Sequence, residues 1–258
     1  MVRTLLFDLD GTLLPMDQDE FLKVYFGRLV RVVSNEKVDG QALMGAMNKG
    51  VVAMAANDGA ESNEQIFLRV FTDALGEERA ASCLPAFDRF YETEFDRVAS
   101  VAHPDPRIPA MIRTLKDKGC RLVLATSPMF PLLAVEKRLR WAGLDPADFD
   151  LITTYENAYH SKPNPLYYAD ILRVMDCEAA DCLMVGNDVD EDMTAGDIGI
   201  QVFLLTDYLI NRSGRDIAAY PHGGLDDLIK YLDGVCAGAQ TAPGPDSSHG
   251  DAANSEGV

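Results

Sequence analysis

Basic residues are scarce in this chain. Lys and Arg number 23 against 41 Asp and Glu in 258 residues, a net charge of −18. A nucleic-acid partner needs a basic face, so none is expected. Attraction to anionic lipid is excluded on the same ground. An anionic substrate would have to be met by local positive charge, from a metal ion or a lysine, against the global field. Long hydrophobic runs are also missing, and nothing reaches the length that spans a bilayer. Residues 1–15 carry no charged-then-apolar pattern with a cleavage site, so no targeting segment is expected. The five cysteines, Cys83, Cys120, Cys177, Cys182 and Cys236, are an odd number at irregular spacings with no C-x-x-C pair. That argues against zinc and against a disulfide framework, and for reduced thiols in the cytoplasm.

What is present suffices for a core. Hydrophobic residues make up 47% and charged residues 25%, an ordinary globular balance. At roughly 150 residues per domain the length suits one large domain or two smaller ones. Thr4-Leu5-Leu6-Phe7 is a short apolar run ending at Asp8, the form of a buried parallel strand. From Asp17 to Val33 apolar residues fall at helical spacing, and Asp17 with Glu20 has the form of a capping box. Helical rhythm continues through Leu43–Met54. It restarts at Ser62 with Gln65, and again over 77–99, with a kink or start expected at Pro85. No strand is expected between 16 and 103. After His103-Pro104-Asp105-Pro106 helices alternate with strand-like runs at 121–125, 151–153, 182–185 and 201–205, and a last helix covers 226–232.

Strands alternating with helices imply right-handed crossovers and a doubly wound parallel α/β sheet. The expected organisation is an α/β core of residues 1–15 and 104–235, interrupted after its first strand by an all-helical insertion over 16–103. The Gly-, Ala-, Ser-, Pro- and Asp-rich stretch 236–258 reads as a disordered tail.

In an open parallel sheet ligands bind beyond the carboxyl ends of the strands. Asp8 and Asp10 follow the first strand, and Thr126 and Ser127 follow the second. Lys162 comes by a loop after the third, and Asn187, Asp188 and Asp192 follow the fourth. Carboxylates, a hydroxyl and a lysine together suit a hard divalent cation and an anionic substrate. Taken singly, an Asp after a strand is as often a turn or cap residue, and Asp190 and Glu191 read as solvated. The run from Asp188 fails as a calcium loop, because Met193 stands at the sixth position and Gly199 at the twelfth.

Asp8-Leu9-Asp10-Gly11-Thr12-Leu13, Leu124-Ala125-Thr126-Ser127, Lys162-Pro163 and Val185-Gly186-Asn187-Asp188 with Asp192 resemble, in order, the four motifs of the haloacid dehalogenase-like hydrolase superfamily. The insertion sits where that superfamily carries a helical cap. The resemblance implies a phosphohydrolase of small phosphorylated metabolites with Mg²⁺ as cofactor and an aspartyl-phosphate intermediate. In it Asp8 is nucleophile and Asp10 general acid/base. Asp8, Asp188 and the Asp10 main-chain carbonyl hold the metal. Thr126, Ser127 and Lys162 bind phosphate, and Asn187 and Asp192 support the metal ligands. Asn187 stands where an acid is common, so the register of the metal ligand is open between it and Asp188. Met16 and Asp17, next to the first motif, are the expected pocket-lining residues of the insertion. Asp10 and Asp188 favour phosphoryl transfer over dehalogenation. A phosphomutase, or a non-catalytic Mg²⁺-binding phospho-acceptor module, stays open as an alternative, and oligomeric state is not readable.

Overall fold

A computed structural model describes residues 2–236, so the expectation for the tail falls, from 237 on, outside the described residues. The chain runs β1 (Thr4–Phe7), α1 (Gln18–Val33), α2 (Gly40–Ala55), α3 (Asn63–Leu75) and α4 (Glu77–Arg89). A π turn over Phe90–Glu94 and a 3-10 turn over Phe95–Val101 follow. Alternation then begins with α5 (Arg107–Asp117), β2 (Arg121–Leu124), α6 (Leu132–Trp141), β3 (Leu151–Ile152), α7 (Pro165–Met175) and β4 (Cys182–Gly186). It ends with β5 (Gln201–Leu205), β6 (His222–Gly223) and α8 (Leu225–Val235).

All strand pairs are parallel, in the order β3-β2-β1-β4-β5-β6. β1 is central, and Phe7 lies opposite both Leu124 of β2 and Val185 of β4. The chain adds β2 and β3 on one side of β1 and then returns to build the other side. That reversal opens a crevice at the carboxyl ends of the central strands. The period of two divides β1 between two cores: Leu5 and Phe7 pack into one cluster and Leu6 into the other. Helices therefore cover both faces. Among the described residues no helix is long and apolar enough to cross a membrane.

The segment between β1 and α5 is helical throughout its regular elements. Its apolar stripe does not form a separate core. Phe21, Tyr25 and Leu29 of α1 join the same cluster as Phe7 and Leu124. The Tyr25 ring meets Phe90, Phe95 and Phe130 edge-on at 5.8, 6.0 and 5.3 Å. Ser62 and Gln65 form both halves of a capping box at α3. At α1 the Asp17 carboxylate accepts from the Glu20 amide. Pro85 neither starts nor ends a helix, because α4 runs on to Arg89 with Cys83 and Phe87 buried on either side of it. The irregularity falls instead in the π turn at Phe90. Burial of that face outweighs the one amide proton that proline withholds.

Candidate active site

Four chain segments meet at the strand ends. A cavity of ≈ 30 Å³ is lined by Asp8, Asp10, Thr126, Ser127, Asn187, Asp188, Glu191 and Asp192, with Gln18 and Ile210 at its side. The space fits an ion and a few ligand atoms. A larger groove of ≈ 200 Å³ beside β3 and α7 contains the His160–Asp170 pair but none of the residues that follow β1 or β4.

The Asp8 amide donates to Val185 O at 2.9 Å, which ties the first loop to β4. The turn that follows needs glycine. Gly11 has φ +84°, and a Cβ there would lie 2.3 Å from Asn187 Nδ2. Lys162 reaches the cleft from its loop and is 3% exposed. Its ammonium donates to Asp8 Oδ1 at 2.9 Å and Asp192 Oδ1 at 2.6 Å. Burial alone would lower the lysine pKa, but Asp192 and Asp8 hold it well above the ordinary value. Burial pushes the Asp192 carboxyl upward, opposed by Lys162. Asp192 also accepts the Asp188 amide at 2.9 Å, closing the loop after β4.

Thr126 is fixed through its main chain, whose carbonyl accepts from the hydroxyls of Thr153 and Tyr167, each at 2.9 Å. Ser127 lines the cavity, but its hydroxyl donates to Glu191 Oε2 at 2.7 Å. Glu191 is therefore a wall of the site and not the solvated charge that its acidic surroundings suggest. Burial raises its pKa. Asp190 is also engaged, accepting the amides of Arg212 and Ser213 at 3.1 Å.

Asn187 accepts from Thr12 Oγ1 at 3.1 Å and donates to Tyr208 O at 2.6 Å. Asp188 Oδ1 accepts the amides of Asp190 and Glu191 at 2.7 and 3.0 Å. Its Oδ2 accepts from Arg212 Nη1 at 2.9 Å, and Arg212 Nη2 reaches Gln18 Oε1 at 3.0 Å. Among the described residues no three His, Cys, Asp or Glu side chains form a ready metal cluster. The donor set needs only two. Asp8 and Asp188 line the cavity with carboxylates, hard oxygens of the kind Mg²⁺ prefers alongside its own waters. These residues fit the ion.

Met16 and Asp17, expected at the pocket, do not line it. Met16 is buried in the core and Asp17 spends its carboxylate capping α1. The adjacent Gln18 lines the cavity instead.

Two residues beyond the motifs brace the site from outside the strand ends. Arg138 of α6 is fully buried. It pairs through Nη1 with Asp10 Oδ2, and its guanidinium lies over the Phe130 ring at 4.3 Å and the Phe21 ring at 5.8 Å. The Asp10 pKa is raised to about 6, because burial outweighs the opposing pull of Arg138. The signal was in the spacing. Ala134, Val135, Arg138 and Leu139 are one buried stripe of α6, so position 138 faces inward although it carries charge. The second residue is Asn63, fully buried at the start of α3. Its Nδ2 donates to Pro128 O at 3.1 Å and Ser161 Oγ at 3.0 Å, and its Oδ1 accepts from Asn57 at 2.8 Å. It joins the loop after Thr126 to the loop before Lys162.

A phosphoglycolate phosphatase of Vibrio vulnificus is 25% identical over 239 residues, 92% of this chain and 98% of that protein. In fold, a protein from Haemophilus somnus described as a predicted phosphoglycolate phosphatase superposes with a TM-score of 0.55. It is 18% identical, over 90% of this chain and 98% of that one. An L-2-haloacid dehalogenase superposes with a TM-score of 0.52 at 17% identity, over 90% and 99% of the two chains. The last two similarities carry the fold alone, which evidently serves more than one chemistry. The family model described as haloacid dehalogenase-like hydrolase matches residues 2–197, and with the parallel sheet and its strand-end carboxylates the chain belongs to the haloacid dehalogenase-like hydrolases.

Proposed function

We propose that the protein is a Mg²⁺-dependent phosphohydrolase of small phosphorylated metabolites that works through an aspartyl-phosphate at Asp8. The observation that carries this reading is the pairing of two carboxylates, Asp8 and Asp10, in one cavity with Asp188. A dehalogenase needs the nucleophile but neither the second acid nor a metal ligand.

Mg²⁺, held by Asp8, the Asp10 carbonyl and Asp188, would screen the repulsion between a phosphate dianion and the attacking carboxylate. Asp8 attacks phosphorus in line, and the P–O bond to the leaving group breaks. Asp10 gives its proton to the leaving oxygen. It then takes one from the water that hydrolyses the aspartyl-phosphate, returning Asp8 as a free carboxylate. A carboxyl raised to about 6 is suited to both transfers near neutrality. Lys162, already on Asp8, offsets charge on the transferring group, and Thr126 hydrogen-bonds it. Asp192 holds Lys162 in place. The helical insertion acts as a cap, with Gln18 its nearest approach to the cavity. The five free thiols suit a cytoplasmic enzyme.

The test is phosphate release from a panel of monoesters, with phosphoglycolate among them, with Mg²⁺ and with EDTA. Turnover should require the metal and vanish in Asp8→Asn. Release by Asp8→Asn equal to that of the natural protein on every ester, or no release at all, rejects the reading. Transfer of phosphate to a second substrate hydroxyl in preference to water identifies a mutase.

A further inference from the structure

Arg138 is an unusual residue to bury. A fully buried guanidinium used only to hold the fold is expected to have its donors satisfied. Here Nη1 pairs with Asp10 Oδ2, and Nε makes only a long contact to Ala134 O at 3.4 Å in its own helix. Nη2 is buried without a partner, and so is the other oxygen of the same carboxylate, Asp10 Oδ1. One ion pair thus has one oxygen engaged and one left over. Its guanidinium is fixed by rings from two parts of the chain, Phe130 just before α6 and Phe21 of α1, which lie 6.0 Å apart.

We propose that Arg138 is a positioning residue for the proposed acid/base: by holding Asp10 Oδ2 it fixes the orientation in which that carboxyl lines the cavity. This rests on the phosphohydrolase reading and adds to it the residue that orients the acid. The carboxylate would otherwise rotate about its Cβ–Cγ bond, and either oxygen could turn away from the ester. Phe21 and Phe130 keep the guanidinium from following such a rotation. Phe21 comes from the insertion, so that element supplies one side of the clamp.

An orienting role predicts a dependence on leaving group that a merely structural role does not. An alkyl phosphate expels a basic alkoxide and needs the proton, whereas p-nitrophenyl phosphate expels a stable phenolate and does not. Kinetics of Arg138→Met and Arg138→Lys are compared on both esters, alone and combined with Asp10→Asn. On the alkyl ester Arg138→Met should lose about tenfold or more in kcat/KM, which reports leaving-group departure and not the later hydrolysis in which Asp10 serves both esters alike, a part of what general acid catalysis contributes. The p-nitrophenyl ester should lose less than threefold, and Arg138→Lys should fall between. Added to Asp10→Asn, Arg138→Met should cost nothing further, because the two act through one group. Equal losses on the two esters, or losses that multiply in the double variant, overturn the proposal. Should Arg138→Met not fold, Arg138→Lys carries the same comparison. Absence of activity in the natural protein would strike the phosphohydrolase reading itself, whereas an active natural protein with equal losses in the variants removes only Arg138.

Discussion

Replacing Lys162 by Met tests whether the cleft is held together by its one buried ammonium. In the natural protein that group lies 2.9 Å from Asp8 Oδ1 and 2.6 Å from Asp192 Oδ1, and all three residues are largely buried. Methionine preserves most of the volume, so the loss is electrostatic. It leaves two acids in a low-dielectric cleft without their cation. Breaking a buried pair on one side in this way costs about 3–5 kcal/mol. For a chain of this size that corresponds to a Tm lower by roughly 10 °C. The deficit should depend on pH with a definite sign. Burial already pushes the Asp192 carboxyl upward while Lys162 opposes it, so removing the lysine raises it further. A carboxyl with a folded pKa above its unfolded value of about 3.9 destabilises the fold when ionised, and the folded state takes up a proton as pH falls through the raised value. The variant's deficit should therefore be largest near pH 8 and shrink towards pH 5. Urea denaturation in EDTA across that range measures it, with Lys162→Met/Asp192→Asn alongside, which should recover much of the loss. A variant within about 1 kcal/mol of the natural protein at pH 8, or a deficit that grows with acid, would refute the reasoning.

Other perturbations follow from the same geometry. Gly186→Ala should lower activity sharply, because a Cβ there would lie 2.1 Å from Asp192 Oδ2; phosphate release measures it, and activity near the natural level would mean that Asp192 moves without consequence. Phe71→Ala removes a fully buried ring that stands 5.6 Å from both Phe67 and Phe87. It should cost about 3–5 kcal/mol in chemical denaturation. Asn63→Ala leaves its partners in the two loops without a donor and should cost about 1–3 kcal/mol. It should also raise KM for a phosphate ester by more than it changes kcat, as steady-state kinetics would reveal.

The sequence was most readable where local rules and chemistry coincide. The apolar runs of β1, β2 and β4 are buried between helices on both faces, so each reads as a strand without any tertiary knowledge. The box at Ser62 and Gln65 was equally plain. β6 was not, because two residues, His222 and Gly223, carry no period. The strand exists only through its pairing with Leu204 and Leu205. The cavity residues following the strands could be named from a topological rule, which supplies location without contacts. What that rule could not supply was occupancy of hydrogen bonds. Ser127 faces the cavity yet is committed to Glu191, and Met16 turns into the core while Gln18 faces the site. Arg138 escaped notice because a charged residue in a Lys- and Arg-containing helix reads as surface, and only its place on the buried stripe says otherwise.

The position of Asn63 bears on how far this chain is modular. It belongs to α3, within the stretch that interrupts the α/β core, yet its amide joins the two loops that carry Thr126 and Lys162. Its main-chain N–H donates to Ala158 O, and Ser161 returns a hydrogen bond to Met54 O of α2. The inserted helices are thus a stitched-in component, sewn to the core beside the lysine. A chimera that receives the helices of a relative would inherit a loose seam. Grafting should succeed when Asn63, Pro128 and Ser161 travel as a set.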